Sequence, residues 1–169
     1  MAVGDRTNLG GTAYDRLRIL TSYRNIAMVG LSSGAYQPSS FAAIYLAANG
    51  YNIIPVNPSQ AGKHILERRV YASLTDAARD HRIEIVDVFR PSDEVPALAR
   101  EAVAVGARVL WMQLGVVSPE GADIAREGGL EVVMDRCCKI EHARFFGGLR
   151  VIGLSTGVLT SRLALKIPV

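Results

Sequence analysis

Short apolar runs alternate with helical segments along this chain, and that alternation limits what it can fold into. The runs are Asn25–Gly30, Tyr51–Val56, Ile83–Phe89, Arg108–Met112 and Leu130–Met134. Each is short, rich in Val, Ile and Leu, and bounded by glycine or polar residues, the pattern of a strand buried on both faces of a parallel sheet. Pro55 lacks a ladder donor and so belongs near a strand end. Between the runs lie segments of helical composition. Pro38–Asn49 is rich in Ala and Leu and is stopped by Gly50. Leu74–His81 is a short helix. Ser92–Val105 has a serine cap, Asp93 and Glu94 in its first turn, and Gly106 behind it. Ser118-Pro119 starts a helix that runs to Glu127 and ends at Gly128-Gly129. Thr12–Ser22 and Cys138–Phe146 add one helix before the first strand and one after the last.

Strict strand–helix alternation implies an α/β fold: a Rossmann-like, doubly wound parallel sheet of five strands in three α/β/α layers. Right-handed crossovers leave few topologies, and the expected strand order is 3-2-1-4-5. Residues 12–146 form the expected domain. Residues 147–169 are apolar with little periodicity, and are expected to pack on that domain or at an oligomer interface.

The chain has 169 residues, the size of one domain, with 49% hydrophobic and 21% charged residues. Such a composition excludes disordered and collagen-like classes. The net charge of +3 is small and scattered, which argues against nucleic acid and suits a small anionic ligand. No apolar stretch is long enough to span a bilayer, and no basic segment followed by an apolar run opens the chain. The two cysteines, Cys137 and Cys138, are adjacent, and neighbouring residues do not easily meet disulfide geometry. A reducing cytoplasm is the expected compartment.

In open α/β sheets, ligands sit beyond the carboxyl ends of the strands, where the strand order reverses. That directs attention to residues 30–40, 57–63, 89–92, 113–118 and 135–138. The first of these loops is Val29–Phe41, VGLSSGAYQPSSF, which lacks the G-x-G-x-x-G dinucleotide fingerprint. Gly30 and Gly34 flank Ser32 and Ser33, and a helix begins at Pro38 with Ser39 and Ser40 in its first turn. A helix N-terminus offers unpaired N–H groups and partial positive charge to an anion; the same residues also suit an ordinary capped turn. Asn57-Pro58 ends the second strand, where nicotinamide enzymes place an acid for the ribose hydroxyls. Phe89-Arg90 ends the third, where a guanidinium can clamp phosphate or simply stand on the surface. Gln113 ends the fourth. Asp135-Arg136-Cys137-Cys138 ends the fifth, with His142 one helical turn on, but spacing alone does not bring a base to either thiol.

Several of these pieces together resemble the stand-alone CoA-binding proteins, and the CoA-binding domain of the succinyl-CoA synthetase α subunit. The resemblance rests on IAMVGLS at Ile26–Ser32, PSSF at Pro38–Phe41, GYNIIPVNP at Gly50–Pro58, VYASL at Val70–Leu74, VDVFRPSDEVP at Val86–Pro96, LWMQLGV at Leu110–Val116 and VVMDRCCKIEH at Val132–His142. FGGLRVIGLSTGV at Phe146–Val158 also looks like an extension of some members. The resemblance implies a site for coenzyme A or an acyl-CoA. Gly30, Leu31, Ser32, Ser33, Gly34, Ser39 and Ser40 would then face the phosphates. Asn57 and Pro58 would line the adenosine side, with Phe89 and Arg90 opposite, and Gln113 at the exit of the pantetheine arm. The chain departs from the family at Gln37, where many relatives are basic, and at Glu67, where many have glycine; Lys63 is the nearby cation. It is too short for the ligase domain of the synthetase, so a CoA-binding module without chemistry of its own is the leading expectation, with a protein partner or a second copy as its associate. Two other readings stay open: an NAD(P)-dependent oxidoreductase on the same fold, and a thiol role through Cys137 or Cys138.

Overall fold

The computed structural model describes residues 11–34 and 36–147; the expectation for residues 147–169 otherwise falls outside them. Helix α1 (Ala13–Ser22) opens on a capping box: Thr12 Oγ1 accepts from the Asp15 amide, and Asp15 accepts from the Thr12 amide at 2.8 Å. It leads into β1 (Asn25–Val29), α2 (Pro38–Ala48) and β2 (Asn52–Val56). A two-stranded hairpin follows, β3 (His64–Ile65) and β4 (Arg68–Arg69), turning through Leu66 and Glu67, both at positive φ. The remaining elements are α3 (Leu74–Ala77), β5 (Ile85–Val88), α4 (Val95–Ala104), β6 (Val109–Met112), α5 (Pro119–Glu127), β7 (Glu131–Val133) and α6 (Cys138–Phe146).

The five long strands pair in parallel in the order β2-β1-β5-β6-β7. The α/β class, the parallel sheet and the layers are those expected; the order is not. Counted along the five strands it is 2-1-3-4-5, because the third strand pairs with the first rather than with the second. Pro55 supplies a physical reason. Val56 O accepts from Gly30 N, so its polar groups face β1, while the neighbouring Pro55 O faces the other way and accepts from Tyr71 N at 2.9 Å. The missing proline N–H therefore lies on the outer side of β2, where a further central strand would need a donor. Among the described residues, an isolated bridge between Val56 and Tyr71 is the strand pairing that lies there.

Side chains alternate along each strand and build two cores. Ala27, Val29, Val86, Val88, Leu110 and Met112 face α3, α4 and α5. Ile26, Met28, Ile85, Val109, Trp111 and Val133 face α1, α2 and α6. Helices α4 and α5 pack so closely that a Cβ on Gly121 would lie 2.6 Å from Val95 Cγ1. On the opposite layer, the buried ion pair of Arg16 with Glu141 at 2.9 Å locks α1 to α6. No helix of the described residues is long and apolar enough to cross a membrane.

Candidate functional site

The crossover from β1 runs through α2 on one face, and that from β2 runs through α3 on the other. The carboxyl ends of β1 and β5 are thus the point at which the strand order reverses, and a crevice opens there. It has a volume of about 350 Å³, at the small end of ligand cavities. Gly30, Ser32, Gln37, Pro38 and Ser39 line one side, Phe89, Arg90 and Pro91 the other, and Gln113, Leu114 and Val116 the far end.

Gly30 is the floor of the crevice. Its φ is +88°, and its N–H donates to Val56 O at 2.8 Å. A Cβ here would sit 2.5 Å from Phe89 O and 2.8 Å from Arg90 Cδ. Only glycine allows both the left-handed turn and this approach of the two loops. Gly34 differs: it is exposed, lacks positive φ, and a Cβ would meet the flexible Gln37 side chain at 3.1 Å.

The serines hold the loop to the helix. Ser32 N donates to Ser39 Oγ at 3.2 Å, and Gly34 N donates to Ser32 Oγ at 3.1 Å. Ser40 Oγ reaches Ser32 O and Gly34 O, each at 2.8 Å. In the first turn of α2, Pro38 has no N–H, and the amides of Ser40 and Phe41 both bond Gln37 O. This leaves the Ser39 amide as the donor of that turn with no intrahelical acceptor among the described residues. Ser33 is exposed and, with Ser40, borders a second cavity of about 230 Å³ that His64, Ile65 and Leu66 close on the hairpin side. Leu31 is buried below the loop.

Asn57 is buried, and both ends of its side-chain amide are bonded. Nδ2 donates to Leu31 O at 3.0 Å, and Oδ1 accepts from the Ser59 amide and hydroxyl. It ties the end of β2 to the glycine–serine loop without lining the crevice; the exposed Pro58 beside it does not line the crevice either. Arg90 lines the crevice but grips Glu94 side-on, at 2.8 and 2.7 Å. That pair is only partly buried, so it costs little to open. Ser92 caps no helix; its Oγ accepts from Val117 N and holds the loop after β5 to the loop after β6.

Sequence reasoning passed over Asp87. It lies in mid-strand on β5, fully buried, and accepts from Gln113 Nε2 at 2.6 Å, while its Oδ2 accepts nothing from the described residues. Burial pushes its carboxyl up to about 7, against the Gln113 bond, which pulls it down. The available signal was an acid inside an apolar parallel strand. At the start of α6, Cys138 is buried in the core, and burial pushes its thiol well up. His142 Nδ1 is 3.0 Å from the Tyr45 hydroxyl, and burial pulls its imidazole down.

Similarity to known proteins agrees with this architecture. A family model described as a CoA binding domain matches residues 24–143. The uncharacterised protein YneT of Bacillus subtilis is 38% identical over 125 residues, which cover 74% of this chain and 90% of YneT. Among solved structures, Prb, the PH1109 protein redesigned for binding, is 36% identical with a TM-score of 0.77, and the match covers 82% of this chain and 94% of Prb. A hypothetical protein from Pyrococcus horikoshii OT3 is 33% identical with a TM-score of 0.76, over 87% of this chain and all of the other, 100%. This chain belongs to the CoA-binding domain family.

Proposed function

We propose that this protein binds coenzyme A or an acyl-CoA across the crevice between β1 and β5, without chemistry of its own. Its phosphates would lie over Gly30 and the Ser39 amide, with the Ser32–Gly34 loop, Leu31 and Ser40 shaping that end. Arg90 would turn from Glu94 to the phosphates, with Phe89 flanking the ligand. Asn57 and Pro58 would stand behind the adenosine side, Asn57 through the loop it fixes. Gln113 would meet the pantetheine arm.

The observation that carries this reading is the Gly30 floor. A backbone with no side chain, sharing a crevice with a helix start and a guanidinium, is what a pyrophosphate needs for close approach. Room for a pyrophosphate and the adjoining chain suits a long ligand that runs out over the surface. A binding role is favoured because the lining holds hydrogen-bonding, apolar and one cationic group, with its perturbed acid behind the wall. The nicotinamide reading is weakened because the end of β2 carries Asn57, already bonded to the backbone, and no acid for a ribose diol. The buried thiol of Cys138 weakens the thiol reading.

Isothermal titration with CoA, acetyl-CoA, NAD and ATP tests the proposal. Binding of a CoA species in preference to NAD is the expected result. Absence of binding by every CoA species at millimolar concentration overturns it.

A further inference from the structure

Gln113 connects the crevice to the carboxylate buried behind it. Asp87 and Gln113 sit on adjacent strands, and both are buried, at 0% and 5% exposure. In the sheet, Asp87 stands between Met28 and Trp111 in register, and the Cys138 thiol faces it from α6. None of these neighbours is a charged partner for it. Its Oδ1 takes the Gln113 bond, and its Oδ2 takes none among the described residues. Such a group is costly to bury. An asparagine would fill the same volume at lower cost, so what distinguishes the acid is that its ionised form offers only acceptors.

Against a group that only accepts, the Gln113 amide has one favourable orientation. Its Nε2 must point to Asp87, and its Oε1 points away. Gln113 also lines the crevice, and no hydrogen bond among the described residues uses its Oε1. An asparagine at position 87 would accept either orientation, because it carries both a donor and an acceptor. The crevice thus receives an acceptor whose polarity is fixed from behind.

We propose that Asp87 is a positioning residue that fixes Gln113 as a hydrogen-bond acceptor in the crevice, so that the bound ligand must present an N–H or O–H donor there. The inference rests on the CoA reading, under which the donor is an amide N–H of the pantetheine arm.

The test compares two probes at pH 8, above the point near 7 where Asp87 titrates. One probe is CoA. The other is adenosine 3′,5′-bisphosphate, which keeps the nucleotide end and lacks the pantetheine arm. Gln113→Met should weaken CoA binding about tenfold, one lost hydrogen bond, and leave the bisphosphate unchanged. Unchanged bisphosphate binding also shows that the variant is folded at the site. The double variant Asp87→Asn/Gln113→Glu exchanges donor and acceptor between the two side chains and still presents an oxygen to the crevice. It should bind CoA within about threefold of the native protein, well above the Gln113→Met variant. Equal losses for both probes in Gln113→Met, or no loss for CoA, overturn the proposal while the CoA reading stands. A double variant as weak as Gln113→Met also overturns it. A native protein that binds neither probe overturns the CoA reading and this inference with it.

Discussion

Replacing Asp87 by asparagine should make the protein more stable at pH 8 and change little at acid pH. The carboxyl is fully buried, has one hydrogen bond, and titrates near 7 rather than at its ordinary 3.8. Between those two values the folded chain holds a proton that the unfolded chain releases. Stability linked to this group is therefore complete below the ordinary value and is lost as pH rises through the folded one. A gap of about three units corresponds to roughly 4 kcal/mol in full, at about 1.4 kcal/mol per unit. Part of the loss has occurred by pH 5, so about 2–3 kcal/mol separates pH 5 from pH 8. Asparagine keeps the shape and gives Gln113 a partner in either orientation, but it does not titrate. The difference between variant and native protein isolates Asp87 from other carboxylates, such as Glu141 in its pair with Arg16. Urea denaturation at pH 5, 6, 7 and 8 provides the assay. The variant's advantage should grow by about 2–3 kcal/mol over that range, equivalent to about 5–10 °C in Tm for a chain of this size. An advantage that stays flat with pH would refute the reasoning, because it would mean that Asp87 is already ionised in the fold at pH 5 at no cost.

Gly30→Ala should destabilise the fold by about 3 kcal/mol or more, since its Cβ meets backbone at 2.5 Å at positive φ, while Gly34→Ala should cost under about 1 kcal/mol; denaturation midpoints of the two variants check the contrast. Gln37→Arg restores a cation at the mouth of the crevice and should tighten CoA binding about threefold in 50 mM salt. The gain should shrink in 500 mM salt, where screening is stronger, as titration at both salt levels will show. Cys138 should resist iodoacetamide at pH 7.5 in the native protein and react once urea unfolds it, because its thiol is buried and pushed up; peptide mass spectrometry reads this out.

The layers were legible in the sequence because each apolar run is fully buried, and full burial leaves a continuous run of Val, Ile and Leu. The cap at Ser118 was legible for a local reason: a hydroxyl at the right offset bonds a free amide of its own helix. Residues whose roles depend on distant partners were not legible. Ser92 looks like a cap from its neighbours, yet its hydroxyl holds Val117. Asn57 looks like a ribose contact at a strand end, yet its Nδ2 bonds Leu31 O and its Oδ1 bonds Ser59. The hairpin of β3 and β4 was hidden because Leu66 and Glu67 turn it at positive φ, where glycine or asparagine is the usual signal. Asp87 was hidden by its environment, since an acid in an apolar strand makes sense only once Gln113 is known to stand beside it.

Strand order has the largest consequence for the site. Under the order 3-2-1-4-5, the third strand would lie beyond the second, two strand spacings from the first, or about 10 Å. Phe89 and Arg90 would then end at the far edge of the sheet, and the loop after the fourth strand would be the one to meet Gly30. In the order β2-β1-β5-β6-β7 the third strand, β5, lies directly against β1. Gly30 therefore touches the backbone of Phe89, and Gly30, Arg90 and Gln113 come from three successive strands along one crevice. The same neighbour relation sets Asp87 of β5 beside Gln113 of β6, so the buried acid and the wall it orients follow from one topological fact. Pro55 is consistent with that fact: its missing donor lies on the outer side of β2, which stands at the edge of the sheet while the third strand pairs with the first.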